Sequence, residues 1–291
     1  SMKKITKCVI PAAGFGTRFL PASKALPKEM FPIIDKPVMQ YLVEEAISAW
    51  CEDIIIITWR TKRAIEDHFD SNFELESKLE NSNKTENLEK IKKLNNMANI
   101  VYVRQPYPRW DGEAILRAKS FIWDEPFLVL FWDDIIDHPK TAAQQLVETF
   151  ERKNTPVIST VKVTNDEVSS YGIIESSSQE WNSFLVDKFL EKPQSSETTS
   201  RNWVVGKYVL TSDIFKYLEE AESQRATGEI RLADAFELMR QKQDIYGLEI
   251  QGKRYDTGSK IWFLEATVNF ALKHDEVKDD FIKLIKSLDL K

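Results

Sequence analysis

The sequence predicts an α/β protein, a Rossmann-like, doubly wound, mainly parallel or mixed sheet with a small β lobe beside it and helices at its C-terminal end. Three observations carry the prediction. Short apolar runs alternate with helical stretches up to residue 163, the first run breaks straight into a glycine loop, and residues 165–205 switch to Ser-rich turns among short strands. With 291 residues, 42% of them hydrophobic and 11% aromatic, the chain has material for a sizeable core.

Lys7-Cys8-Val9-Ile10 reads as the first strand, ended by Pro11. A helix is expected over 37–49. Pro37 suits a first turn, and Met39, Leu42, Val43, Ala46 and Ile47 recur at helical spacing. Four consecutive isoleucines between Asp53 and Thr58 fit a strand buried on both faces. A short helix over 61–69 precedes the polar residues 70–98, expected as a solvated helical excursion. Strands over 99–105 and 126–131 bracket a helix near 113–121. A helix near 140–152 and a strand over 156–163 complete the rhythm. Beyond the Ser-rich segment come a strand over 204–210, helices near 211–222 and 231–241, a strand over 244–250 and two closing helices. In the last of these, Val277, Phe281, Leu284, Ile285 and Leu288 form one apolar stripe, expected to serve packing first and a partner copy second. The expected organisation is a single catalytic domain over 3–275 and a C-terminal helix over 276–291 that is a candidate oligomer contact.

The net charge of −6 argues against a general nucleic-acid binder. No apolar stretch approaches the length of a membrane span, and the N-terminal residues carry no signal-peptide pattern. Cys8 and Cys51 stand in no metal-ligand or CxxC spacing, which fits a reducing, cytoplasmic setting.

The sharpest signal is Pro11-Ala-Ala-Gly-Phe-Gly-Thr-Arg18, followed by Lys24 and by Pro27-Lys28-Glu29. A tight turn after the first strand can aim main-chain amides at an anion. Ala12, Ala13, Gly14 and Gly16 are small enough for a phosphate to approach, with Thr17 beside them. Arg18 can fork across phosphate oxygens, and Lys28 can meet charge developing on a leaving group. Two commoner loops are excluded. No Gly is followed at the required spacing by Lys-Ser or Lys-Thr, and the third glycine of a dinucleotide fingerprint is replaced by Phe19.

Asp133 and Asp134 close a buried strand, where open sheets place ligand groups. Buried carboxylates call for a cation or hydrogen bonds. Asp256, in a loop-like Arg254-Tyr-Asp-Thr-Gly258, reads equally as a turn residue or as a second ligand. Gln105 ends a strand and can both donate to and accept from a pyrimidine edge. Glu191-Lys192-Pro193 pairs a carboxylate suited to sugar hydroxyls with a cation suited to a sugar phosphate. His68 and His138 read as capping or surface residues.

From about residue 5 to 275 the chain resembles the sugar-phosphate nucleotidylyltransferases, above all the bacterial branch acting on UTP and glucose 1-phosphate. The resemblance rests on PAAGFGTRFLPASKALPKEM, KRAIEDHFD, VRQ, DEPF, DDI, YGII, EKP, VGKYVL, GEIRLADA and GKRYDTG. It implies Mg²⁺ held by Asp133 and Asp256, with Asp134 a neighbour of unassigned role. It implies uracil contacts from Gln105 and the main chain near Gly112, and hexose contacts from Gly172, Glu191 and Gly206. Arg18, Lys28 and Lys192 become the catalytic cations. It also suggests a homodimer or homotetramer. Another sugar 1-phosphate, dTTP, or a nucleotide-sugar-binding protein without turnover are the competing readings.

The composition is unusual, with 9 Gly and 8 Trp, where average usage predicts about 20 Gly. Trp50, Trp59, Trp110, Trp123, Trp132 and Trp262 fall where the resembled family typically shows Gly. Trp50 and Trp123 follow helices at positions that favour a left-handed residue. Trp110 and Trp132 fall beside the expected nucleotide pocket and are expected to crowd it. Either these are ordinary aromatic residues in a divergent homologue, or the gene reads UGA as glycine and this polypeptide carries tryptophan instead.

Overall fold

Cys8, Val9 and Ile10 have no exposed surface because β1 (Lys7–Pro11) runs through the middle of the sheet. The structure, a computed structural model, describes residues 4–107, 110–170, 172–224 and 229–289. After β1 come three short 3-10 turns, the last spanning Lys28–Met30, and a ribbon of β2 (Pro32–Ile33) and β3 (Lys36–Pro37). Helix α1 (Val38–Ser48) buries Val38, Met39, Leu42, Val43 and Ala46, close to the face its spacing predicts. β4 (Asp53–Thr58) pairs parallel with β1, and its isoleucines are buried on both sides. After α2 (Arg63–Phe69), helices α3 (Phe73–Asn81) and α4 (Thr85–Asn95) form the polar excursion, with Leu88 as their buried anchor. β5 (Asn99–Arg104) is the parallel edge strand.

The helix expected near 113–121 is two pieces, α5 (Trp110–Leu116) and α6 (Lys119–Ile122). The Ala118 amide turns back to the Ile115 carbonyl at 2.9 Å, a tight closure that interrupts the α-helical ladder. β6 (Phe127–Leu130) returns beside β1, and β7 (Asp134–Asp137) leaves the main sheet. Helix α7 (Ala142–Lys153) begins at a Thr141–Gln144 capping box and ends at left-handed Asn154. β8 (Val157–Lys162) leads into the lobe of β9 (Gly172–Glu175), β10 (Gln179–Glu180), β11 (Ser183–Leu185) and β12 (Lys188–Glu191). Then follow β13 (Asn202–Leu210), α8 (Ile214–Gln224), α9 (Leu232–Arg240), β14 (Tyr246–Glu249), β15 (Lys253–Asp256), α10 (Lys260–Ala271) and α11 (Lys278–Ser287).

The sheet order is β10-β11-β14-β8-β13-β6-β1-β4-β5, with β9 and β12 attached through β13. β6, β1, β4 and β5 are mutually parallel, whereas β13 runs antiparallel between β6 and β8. The sheet is therefore mixed. A strand buried on both faces has the same apolar run in either direction, so the reversal at β13 leaves no mark in periodicity. Of the buried clusters among the described residues, the two largest pack under α1 and α7 and under α5, α8 and α9. Among the described residues no helix is long and apolar enough to cross a membrane.

Among the described residues, nine non-glycine positions have positive φ, and four of them are tryptophan: Trp50 (65°), Trp110 (72°), Trp123 (53°) and Trp181 (57°). Three of the six tryptophans singled out in the sequence thus hold backbone conformations that favour glycine. Trp181, not among those six, behaves the same way. Trp59, Trp132 and Trp262 do not. Trp59 packs edge-on against Phe15, and Trp262 lies within α10.

Candidate active site

The chain leaves β1 at the centre of the sheet with Ala12 and Ala13 buried. It then crosses under Lys28. A Cβ on Gly14 would lie 3.1 Å from Lys28 Nζ, and one on Gly16 would lie 3.0 Å from Lys28 Cδ, at a φ of 69°. Gly16 therefore answers both a left-handed turn and a close approach. Ser23 Oγ donates to the Gly16 carbonyl at 2.7 Å and ties the loop to the turn behind it. Thr17 and Arg18 stand exposed at the tip. Burial lowers the Lys28 pKa to about 8, against the opposing pull of Glu29 and Asp133. Its ammonium lies 3.5 Å from the centroid of the Trp132 ring.

Glu29 and Lys62 form a fully buried ion pair at 2.7 Å directly beneath this turn. Sequence reasoning missed it. The signal was a charged Glu inside the Pro-Lys-Glu-Met run, legible only once burial is known.

The two candidate metal ligands meet through a strand ladder. β7 and β15 pair antiparallel with Asp134 opposite Asp256. Past that ladder the Thr257 amide donates to the Asp133 carbonyl at 2.8 Å, and Thr257 Oγ1 donates to the Trp132 carbonyl at 3.0 Å. A Cβ placed on Gly258 would lie 3.0 Å from Asp256 Oδ1, 3.2 Å from Arg18 Nη1 and 3.5 Å from Asp133 Cβ. A side chain there would require these neighbours to give way by a few tenths of an ångström. Burial raises the Asp133 carboxyl, with Lys28 opposing the rise. Asp134 is pushed up to about 7, by burial first and then by the charge of Asp133.

Asp134 is ion-paired with Arg254, whose guanidinium lies 4.0 Å from the Trp203 ring centroid and 3.6 Å from Asp256 Oδ2. Arg254 and Asp256 are two residues apart on one strand and so share a face, which is the signal that could have found Arg254. Among the described residues there is no cluster of three or more His, Cys, Asp or Glu able to hold a metal ion. Two carboxylates beside an anion-binding loop fit Mg²⁺, which takes one or two carboxylates and completes its shell with phosphate oxygens and water.

A cavity of about 320 Å³ opens between the glycine loop and α5, bordered by Ala13, Gly14, Gln105, Trp110, Asp111 and Trp132. Gln105 is buried, and its Nε2 donates to the Trp110 carbonyl at 3.4 Å. The Gly112 amide points elsewhere. It donates to the Ile230 carbonyl at 3.0 Å and to Asp111 Oδ1 at 2.7 Å. A second cavity of about 290 Å³ is bordered by Gly172, Phe189, Tyr208, Asp234 and Glu237. The Gly206 carbonyl accepts from the amide of Phe131, which borders the first cavity, at 2.7 Å.

Glu191 pairs with Gly172 across β12 and β9, while its side chain lies outside the described residues. Lys192 stands exposed just past β12 with a φ of 47°. His68 faces Gln40 at 3.1 Å and His138 faces Lys140, both away from this centre.

A mixed, doubly wound sheet with a cation-lined glycine loop beside paired carboxylates defines an α/β transferase class that handles nucleoside phosphates. The chain belongs to the nucleotidyl transferase family, whose model matches residues 7–272. It is 48% identical over 289 residues to a UTP–glucose-1-phosphate uridylyltransferase of Staphylococcus epidermidis, covering 99% of this chain and 100% of the relative. It is 46% identical over 287 residues to the Bacillus subtilis protein of the same name, covering 99% and 98%. Among solved structures, a UTP-bound UGPase from Acinetobacter baumannii superposes with a TM-score of 0.92 at 34% identity, covering 98% of this chain and 100% of that one. A UDP-glucose pyrophosphorylase complexed with UDP-glucose gives 0.83 at 37% identity, covering 93% and 100%.

Proposed function

We infer that this chain transfers UMP from UTP to glucose 1-phosphate, giving UDP-glucose and pyrophosphate. Relatives of that name match it over nearly its whole length. The structural observation that carries the reading is the meeting of Arg18, Asp133 and Asp256 around Gly258, next to a glycine loop crossed by Lys28.

An oxygen of glucose 1-phosphate attacks the α-phosphorus of UTP, forming one P–O bond. The bond to the β-phosphate breaks, and pyrophosphate leaves with its electron pair. The nucleophile is already an anion, so no general base is needed. Main-chain amides of residues 12–16 and the Arg18 guanidinium position the triphosphate. Lys28 faces the charge that develops on the leaving group. Gln105 reads the pyrimidine edge. Gly172, Glu191 and Gly206 form the hexose side, where Lys192 meets the sugar phosphate. Asp133 and Asp256 would hold Mg²⁺, which when bound neutralises phosphate charge and orients the triphosphate.

Pyrophosphate release tests the reading across UTP and dTTP, each with glucose 1-phosphate and galactose 1-phosphate, with and without Mg²⁺. UTP with glucose 1-phosphate should turn over fastest, and only with the metal. Binding without turnover on every pair would favour a nucleotide-sugar-binding protein instead. Gln105 accepts uracil and thymine alike, so the base preference rests on this comparison.

The gene is taken to use UGA for glycine at Trp50, Trp59, Trp110, Trp123, Trp132 and Trp262, a reading supported by the positive φ of Trp50, Trp110 and Trp123. UGG codons at these positions would end that reading. The catalytic unit is taken as residues 3–275. The exposed Ile261, Leu264 and Val268 of α10, with Leu284 and Ile285 of α11, support self-association as a dimer or tetramer, which light scattering on the purified protein reads directly. The buried free thiols of Cys8 and Cys51 suit the cytoplasm.

A further inference from the structure

Asp111 stands between the two cavities. It borders the space beside Gln105 and Trp110, and it also borders the space beside Gly172 and Tyr208. Its Oδ1 accepts two main-chain amides, Gly112 N at 2.7 Å and Leu232 N at 3.0 Å. Gly112 belongs to α5, at the first cavity. Leu232 opens α9, and with Ala233 and Asp234 it walls the second.

Helix α9 needs this contact. Its own N-cap residue, Arg231, supplies no side-chain hydrogen bond to the helix start. Asp111 provides the missing acceptor from a distant part of the chain, with its negative charge at the positive end of a nine-residue helix. There is little slack in the joint. Gly112 N also reaches the Ile230 carbonyl at 3.0 Å, and a Cβ on Gly112 would lie only 2.7 Å from that oxygen. A shift of the loop at Trp110–Gly112 must therefore move residues 230–232 with it.

We propose that Asp111 is a positioning residue that couples the two cavities, so that a nucleotide seated beside Gln105 sets the α9 wall against which the sugar is placed. The proposal rests on the uridylyltransferase reading for which ligand enters which cavity. A residue that reaches only one cavity, or a cap that merely steadies α9, would not link the two affinities.

The experiment is calorimetric binding of UTP and of UDP-glucose, both with Mg²⁺, to the full chain, to Asp111→Leu and to Asp111→Asn. UTP occupies the nucleotide side alone, whereas UDP-glucose spans both. In Asp111→Leu, UDP-glucose should lose about ten-fold more affinity than UTP, the size of one lost cap. Asp111→Asn keeps an acceptor of similar capping strength and should restore the wild-type ratio of the two affinities to within about three-fold. Equal losses for both ligands, or a lowered Tm with an unchanged ratio, would overturn the proposal. Should Asp111→Leu not fold, Asp111→Ser shortens the acceptor, and the same shift in ratio is required of it. Wild-type protein that binds both ligands but releases no pyrophosphate would defeat the uridylyltransferase reading while leaving this comparison intact.

Discussion

The Lys28 ammonium rests 3.5 Å from the centroid of the Trp132 ring, which lies at the mouth of the cavity it shares with Trp110. A cation over an aromatic face is stabilised by about 0.5–2 kcal/mol, and a triphosphate drawing on Lys28 must compete with that contact. Replacing Trp110 and Trp132 together by Gly should therefore raise kcat/KM for UTP. About 1.4 kcal/mol recovered is a ten-fold gain. Initial rates of pyrophosphate release give the answer, and an unchanged or lower value would mean that the rings do not obstruct substrate.

Trp50 and Trp123 are strained rather than obstructive. They sit at φ of 65° and 53°, the latter with ψ of −126°, and expose 61% and 79% of their surface. A left-handed non-glycine residue costs about 1–2 kcal/mol, and little burial is lost on removing an exposed ring. Trp50→Gly and Trp123→Gly should each raise Tm by roughly 2–4 °C per kcal/mol regained. Trp203 is the contrast. It is buried in β13 against Arg254, so Trp203→Gly should lose stability by at least the ~3–5 kcal/mol typical of truncating a buried aromatic to Ala. Thermal unfolding that lowers Tm for all three alike would reject the distinction.

The parts of this fold that could be read in advance are those where one periodicity acts alone. The isoleucine run of β4 and the apolar face of α1 are of that kind, and the glycine loop announced itself because Arg18, Lys24 and Lys28 follow Gly14 and Gly16 closely in the sequence. The reversed direction of β13 and the β7–β15 ladder were hidden, since both depend on which strand lies alongside. That ladder brings Asp256 to Asp133, so the meeting of the carboxylates was expected from resemblance and not from spacing. Asp111 and the Glu29–Lys62 pair were invisible for a related reason. A charged residue reveals its role only when burial and a distant partner are known.

Glu29 is fully buried with Lys62 at 2.7 Å, immediately next to Lys28 in sequence. Breaking such a pair from one side leaves an uncompensated buried charge, typically worth about 3–5 kcal/mol. Glu29→Gln and Lys62→Met should each destabilise the protein by that order in urea unfolding. The double variant Glu29→Leu/Lys62→Met should recover much of the loss, because neither charge is then stranded. Single variants within about 1 kcal/mol of wild type would show that the pair does not hold the turn.

The same turn sets a pH limit on activity. Burial lowers the Lys28 pKa to about 8, so the side chain is a cation below that pH and loses its proton as pH rises through it. Neutral Lys28 cannot offset charge developing on pyrophosphate, and kcat/KM reports ionisation in the free enzyme. The profile of kcat/KM for UTP should therefore fall above about pH 8. Arginine does not titrate in this range, so Lys28→Arg should run at a reduced but flat rate across the same interval. A wild-type profile that stays level to pH 10, or an equal fall in Lys28→Arg, would place the limiting ionisation on another group.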